Sequence, residues 1–122
     1  GRQRGRKLGY PTANLSFPPT LLPKHGIYAG IGKVGNREYA AAINIGPNLT
    51  FSENGTKIEV HLLDFSGNIY GQHLDIDFLE HLRDIVRYSS VEQLTAQMKK
   101  DILQVRNVVE RYRRRDSFDP AR

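Results

Sequence analysis

Ile27-Tyr-Ala-Gly-Ile-Gly-Lys-Val34, then Gly35-Asn36, then Arg37-Glu-Tyr-Ala-Ala-Ala-Ile-Asn-Ile45 is the stretch on which the fold turns. Two runs of strand-forming residues separated by a two-residue Gly-Asn link read as a β-hairpin. Toward the C-terminus, Lys57 to Phe65 alternates, with Ile58, Val60 and Leu62 on one face and Glu59, His61 and Leu63 on the other. Ser66-Gly67-Asn68 is a turn, with a further strand region expected from Ile69. Within it Leu74, Ile76 and Phe78 alternate with Asp75 and Asp77, the pattern of a half-buried strand. After Ser90 the period changes. Val91, Leu94, Met98, Ile102, Val105, Val109 and Tyr112 recur every three or four residues, one stripe of an amphipathic helix. Ser90-Val-Glu-Gln93 reads as a capping box at its start. Short strands followed by one helix predict a mainly β domain, a barrel with an appended helix.

The chain has 122 residues, 39% hydrophobic and 25% charged. That is one domain, long enough to bury a core without disulfide staples. It has no Cys. Disulfides, thiolate nucleophiles and Cys-ligated zinc are thereby excluded, and a cytoplasmic setting fits. No apolar run approaches the ~20 residues of a membrane span, so no membrane partner is expected. The chain opens at Gly1 with neither Met nor a signal segment, which reads as a fragment of a longer protein. The net charge of +5 is uneven: residues 1–7 carry +4, residues 8–98 carry −3 and residues 99–122 carry +4. A nucleic-acid module more often spreads its basic residues over the folded surface, so no nucleic-acid partner is expected. The arginines near the C-terminus read as a solvated helix end, where the helix dipole favours cations. His25, His61, His73 and His81 lack a compact metal spacing.

Chemistry is concentrated in three places. Gly1-Arg-Gln-Arg-Gly-Arg-Lys-Leu-Gly9 is not a Walker A loop, because no Gly-Lys-Ser/Thr follows. Gly permits close backbone approach and Arg or Lys neutralises phosphate, so the segment reads either as a basic flap over a polyphosphate or as a frayed terminus. In Tyr10-Pro-Thr-Ala-Asn14 the Thr hydroxyl and Asn amide offer hard oxygens suited to Mg²⁺; they equally suit a turn in which both bond their own backbone. Glu59 is a mid-strand carboxylate, either a general base for a hydroxyl or an outward polar residue of an alternating strand.

Together these segments resemble the riboflavin kinase family. Gly5-Arg-Lys-Leu-Gly-Tyr-Pro-Thr-Ala-Asn14 is similar to the family's Gly-rich flap running into Pro-Thr-Ala-Asn. Gly26-Ile-Tyr-Ala29, Asn44-Ile-Gly46, Thr50-Phe51, Glu59-Val-His-Leu-Leu-Asp-Phe65, Tyr70-Gly71, Leu82-Arg83 and Ser89-Ser90 follow in the family's order, so the resemblance runs from Gly1 to about Arg106. It implies a six-stranded antiparallel Greek-key barrel with a C-terminal helix over residues 1–122, lacking one strand that normally precedes Gly1. It also implies transfer of the ATP γ-phosphoryl to the 5′-hydroxyl of riboflavin, giving FMN and ADP with Mg²⁺ as cofactor. In bacteria an FMN adenylyltransferase domain usually precedes this module in one FAD synthase chain.

Residue roles are implied by motif position. Glu59 matches the catalytic carboxylate. Thr12 and Asn14 match the Mg²⁺–nucleotide ligands, and Gly1 with Arg6 or Lys7 matches the flap that touches ATP. Leu62, Asp64 and Tyr70 match the lining of the nucleotide pocket. Arg83, Val86 and Tyr88 match flavin-contacting positions. The chain departs from the pattern at Leu49-Thr50-Phe51, where the family has Pro-Thr-Phe, at Tyr88, usually Phe, and at Asp84-Ile85-Val86, usually more charged. Two other readings stand beside this one. A flavin-binding barrel without turnover is opposed by the presence of Thr12, Asn14 and Glu59. A nucleic-acid-binding barrel is opposed by the acidic body.

Overall fold

The computed structural model describes residues 13–15, 23–47 and 55–117. Five strands, β1 (Ala13–Leu15), β2 (Gly26–Val34), β3 (Arg37–Pro47), β4 (Thr56–Leu62) and β5 (Leu74–Arg83), precede one helix, α1 (Val91–Ser117). They form one antiparallel sheet in the order β1-β4-β3-β2-β5. Strands β2, β3 and β4 are consecutive neighbours and β5 returns beside β2, which is a Greek-key order. The hairpin forms as its sequence predicts. Val34 faces Arg37 across Gly35-Asn36, and Gly35 sits at φ +60°, a left-handed conformation that Gly adopts without steric cost.

The sheet separates two apolar layers. Tyr28, Ala41, Ile43, Ile45, Ile58, Val60 and Leu62 line the inner one, joined by Leu74, Ile76 and Phe78 of β5. Ala29, Ile31 and Leu63 on the opposite, outer face pack against Val105, Val108 and Val109 of α1. Gly30 lets β2 and β5 approach across a register shift: a Cβ there would run into the Asp77 carbonyl oxygen.

The six-stranded barrel is not what the structure shows. Among the described residues there are five strands, and no pairing closes β1 onto β5. The strand expected from Ile69 begins instead at Leu74. Asn68 Oδ1 accepts from the Tyr70 amide at 2.9 Å and the Ile69 carbonyl from the Gln72 amide at 3.2 Å. These local turn bonds engage backbone groups that a ladder would otherwise use.

The expected helix is present, and its cap is shared between two serines. Ser90 Oγ accepts from the Gln93 amide at 3.1 Å, while Gln93 Oε1 accepts from the Ser89 amide at 3.2 Å and the Ser89 hydroxyl at 2.9 Å. A capping box would return the Gln to Ser90; here it reaches one residue further back. The ends of the predicted stripe, Val91 and Tyr112, are exposed, and the buried part is Asp101, Val105, Val108 and Val109. The helix therefore meets the sheet over its middle. Burying three valines contributes at most about 1.5–3 kcal/mol each. Among the described residues no helix is long and apolar enough to cross a membrane.

Candidate functional site

Residues directly opposite one another in an antiparallel sheet share a face. Asn14 of β1 lies opposite Glu59 of β4, Glu59 opposite Asn44 of β3, Asn44 opposite Ile27 of β2, and Ile27 opposite Arg83 of β5. One row thus crosses all five strands on the outer face, the face that α1 covers elsewhere. The neighbouring row, Glu80, Ala29, Ala42 and His61, carries one buried imidazole and, at its β5 end, an exposed carboxylate. The Asn14 row is polar at four of its five positions, Ile27 being the exception, and Glu59 is only half-buried. Adjacent strands lie about 4.8 Å apart, so Glu59 and Arg83 stand roughly 14 Å apart along the sheet.

The segment after β5 folds back beside this row. A Cβ at Gly46 would approach Ile85 Cδ1 to 2.9 Å and Asn44 Oδ1 to 3.5 Å. The missing side chain is what lets Ile85 rest against β3 next to Asn44. Arg83 is fixed by α1: its Nε donates to Asp101 Oδ1 at 2.8 Å and its NH2 to Asp101 Oδ2 at 2.7 Å. Its NH1 donates to the Asp84 carbonyl at 3.1 Å, and its guanidinium carbon lies 6.0 Å from the Tyr88 ring centre. These hydrogen bonds to Asp101 hold the guanidinium above its ordinary pKa. Val86 is exposed on the same segment.

Of the residues the sequence singles out, Glu59, Asn14 and Arg83 share the row, with Val86 and Tyr88 on the segment that follows it. Leu62, Asp64 and Tyr70 lie elsewhere. Leu62 is buried in the inner layer, on the opposite side of β4 from Glu59. Asp64 follows the strand in a left-handed conformation, φ +63°, and accepts from Arg106 at 2.7 and 3.1 Å. These bonds hold its carboxyl below the usual range. The pair borders a cavity of about 430 Å³ walled by Tyr39, Leu63 and Val109. Tyr70 is exposed in the turn before β5. Gly1, Arg6, Lys7 and Thr12 lie outside the described residues, as does Thr50-Phe51.

Three residues at this site carry no role in the sequence reading: Asn44, Gly46 and Asp101. Asn44 and Gly46 stand in a motif that the resemblance uses, but only strand pairing puts Asn44 beside Glu59. Asp101 has a local signal, since it falls three residues after Met98 and four before Val105, inside the apolar stripe. An acid there needs a partner.

Among the described residues no cluster of three His, Cys, Asp or Glu side chains is placed to hold a metal. At the β1 end of the row the register sets an amide residue, Asn14, opposite a carboxylate, Glu59. Oxygen donors of this kind suit a hard divalent cation that keeps its water and its phosphate ligands.

Comparison with known proteins adds to this geometry. A family model described as Flavokinase: Riboflavin kinase matches residues 1–109. The chain is 38% identical over 103 residues to a bifunctional riboflavin kinase/FMN adenylyltransferase of Listeria monocytogenes, covering 83% of this chain and 33% of that protein. It is 39% identical over 103 residues to the RNA-binding riboflavin kinase RibR of Bacillus subtilis, covering 84% of this chain and 44% of that protein. Among solved structures, one described as a macrolide-efflux protein from Streptococcus pneumoniae matches with a TM-score of 0.79 and 36% identity, over 88% of this chain and 36% of that one. The chain thus spans well under two thirds of the length of these relatives.

Proposed function

The chain belongs to the riboflavin kinase family, and on that premise we propose that it transfers the γ-phosphoryl of ATP to the 5′-hydroxyl of riboflavin, releasing FMN and ADP. The observation that carries the reading is the polar row on the uncovered part of the outer face, with Glu59 toward one end and Arg83 at the other. Its span of roughly 14 Å suits a flavin lying across the strands, its ribityl end at Glu59 and its ring near the 84–88 segment. A flat, largely apolar slot with few polar anchors is what an isoalloxazine needs. Ile85, Val86 and Tyr88 offer such a surface.

Phosphoryl transfer asks a protein chiefly for positioning and charge stabilisation. Glu59 takes the proton of the 5′-hydroxyl as the new P–O bond forms, a role typically worth about 10²–10⁴ in rate. Asn44, directly across from Glu59, is placed to orient either the carboxylate or the ribityl chain. Thr12 and Asn14 hold a divalent cation, Mg²⁺ on this reading, which when bound neutralises phosphate charge. Gly1 and Arg6 or Lys7 are the residues assigned to ATP on this reading. On this reading Leu62, Asp64 and Tyr70, which follow Glu59 along the chain, stand on the side of the nucleotide.

The test is FMN formation from riboflavin and ATP, followed by chromatography with and without Mg²⁺. Metal-dependent FMN is expected. A folded protein that forms no FMN and does not bind riboflavin would overturn the proposal.

A further inference from the structure

We infer that Asp101 is a positioning residue for the flavin: it clamps Arg83 and so holds the 84–88 segment beside the Glu59 row. The inference rests on the flavin reading above and adds to it a residue on α1, remote in sequence from every motif. The Asp101 side chain is 7% exposed, and both of its oxygens are engaged. Oδ1 accepts from Arg83 Nε at 2.8 Å and from Gln97 Nε2 at 3.0 Å, and Oδ2 accepts from Arg83 NH2 at 2.7 Å.

The consequences run along the chain after β5. Arg83, held at Asp101, bonds the Asp84 carbonyl and lies near the Tyr88 ring. Between those two points Ile85 rests over Gly46. The segment is therefore fixed at its start, middle and end, and two of the three points depend on where the Arg83 guanidinium sits. Three of the five Arg83 N–H groups are already committed, which limits what it can offer a ligand directly.

Docking of α1 does not require this charge. Val105, Val108 and Val109 already bury the helix against the sheet. A buried ion pair is often no more stabilising than an apolar pair of the same size. What the carboxylate adds is a fixed orientation for a planar, forked partner.

The experiment compares the protein with its Asp101→Asn and Gln97→Leu variants. Riboflavin affinity is read from quenching of flavin fluorescence, the ATP KM from turnover, and folding from thermal melting. Asp101→Asn is expected to weaken riboflavin binding about tenfold while the ATP KM moves less than about twofold. Gln97→Leu, which leaves the Arg83–Asp101 bonds intact, is expected to weaken riboflavin about threefold with the same split. Unchanged riboflavin affinity in a folded Asp101→Asn protein would overturn the inference. So would a parallel loss for both substrates, which is what a merely structural role predicts. If Asp101→Asn does not fold, the Gln97→Leu result decides: an unchanged riboflavin affinity overturns the inference. Failure of the unsubstituted protein to bind riboflavin would instead remove the flavin reading, and the inference with it.

Discussion

Two halves of the same sheet face behave differently. Where α1 lies over it, the outer face presents Ala29, Ile31 and Leu63 and is dry. A few residues along the same strands, past the reach of the valines of α1, it presents Asn44 and Glu59 and is open. On β3 the outward positions run Ala40, Ala42, Asn44, Gly46; on β4 and the residue just after it they run Leu63, His61, Glu59, Lys57. The β3–β4 register does not change there, although β2 and β5 shift register between Ile27 and Tyr28. The cover changes, and on β3 and β4 the polarity of the residues follows it. A half-covered sheet face thus supplies rigidity and a polar row from the same strands, which is what a preorganised site requires.

Breaking the covered half is expected to cost stability and spare chemistry. Leu63→Ala removes a buried side chain from the layer under α1. It should lower unfolding free energy by about 2–4 kcal/mol. Denaturant unfolding measures the loss, and riboflavin KM should move less than twofold at a temperature where the variant is folded. A comparable change in KM would show that the two halves are not separable.

His61 belongs to the covered half and makes it pH-sensitive. Burial, with Arg106 adding its charge, pushes the imidazole down to about 4. Above pH ~6.5 it is neutral in both folded and unfolded chains. Between ~6.5 and ~4 the unfolded chain takes up a proton that the folded one refuses, so stability declines as pH falls through that window, by at most about 3 kcal/mol. Melting midpoints across the window should slope less in His61→Leu. An identical slope would assign the acid sensitivity to other groups.

Gly46→Ala sharpens the comparison from the open half. Its Cβ would press on the end of the Ile85 side chain, which can move at small cost to the fold. The expected result is a few-fold loss of riboflavin affinity, near 1 kcal/mol, with the melting midpoint little changed. A large fall in stability with intact affinity would place Ile85 in the core rather than at the site.

Much of this was legible in short-range pattern. The Gly35-Asn36 hairpin, the alternation through Leu62 and the α1 stripe each depend on residues a few positions apart. Their periods survive in the structure. The alternation also placed Leu62 with Ile58 and Val60, where the structure puts it, although the resemblance gives Leu62 a role at the nucleotide. What could not be read is tertiary. Asn44 meets Glu59 only through the β3–β4 register, Arg83 meets Asp101 across the start of a helix, and Asp64 meets Arg106 across 42 residues. The barrel expectation came from short strands followed by one helix, and its six strands and Greek-key order from family likeness; whether the sheet closes is fixed by neither. The start of β5 was missed because Asn68 turns the chain with its own side chain.

The central claim is that the open half carries the chemistry, with Glu59 as its base. The most direct measurement is the single-turnover rate of FMN formation in Glu59→Gln, beside its riboflavin affinity and melting midpoint. The account predicts a rate reduced by at least about 100-fold, with affinity and midpoint close to those of the unsubstituted protein. A near-normal rate, measured where phosphoryl transfer limits turnover, would contradict it.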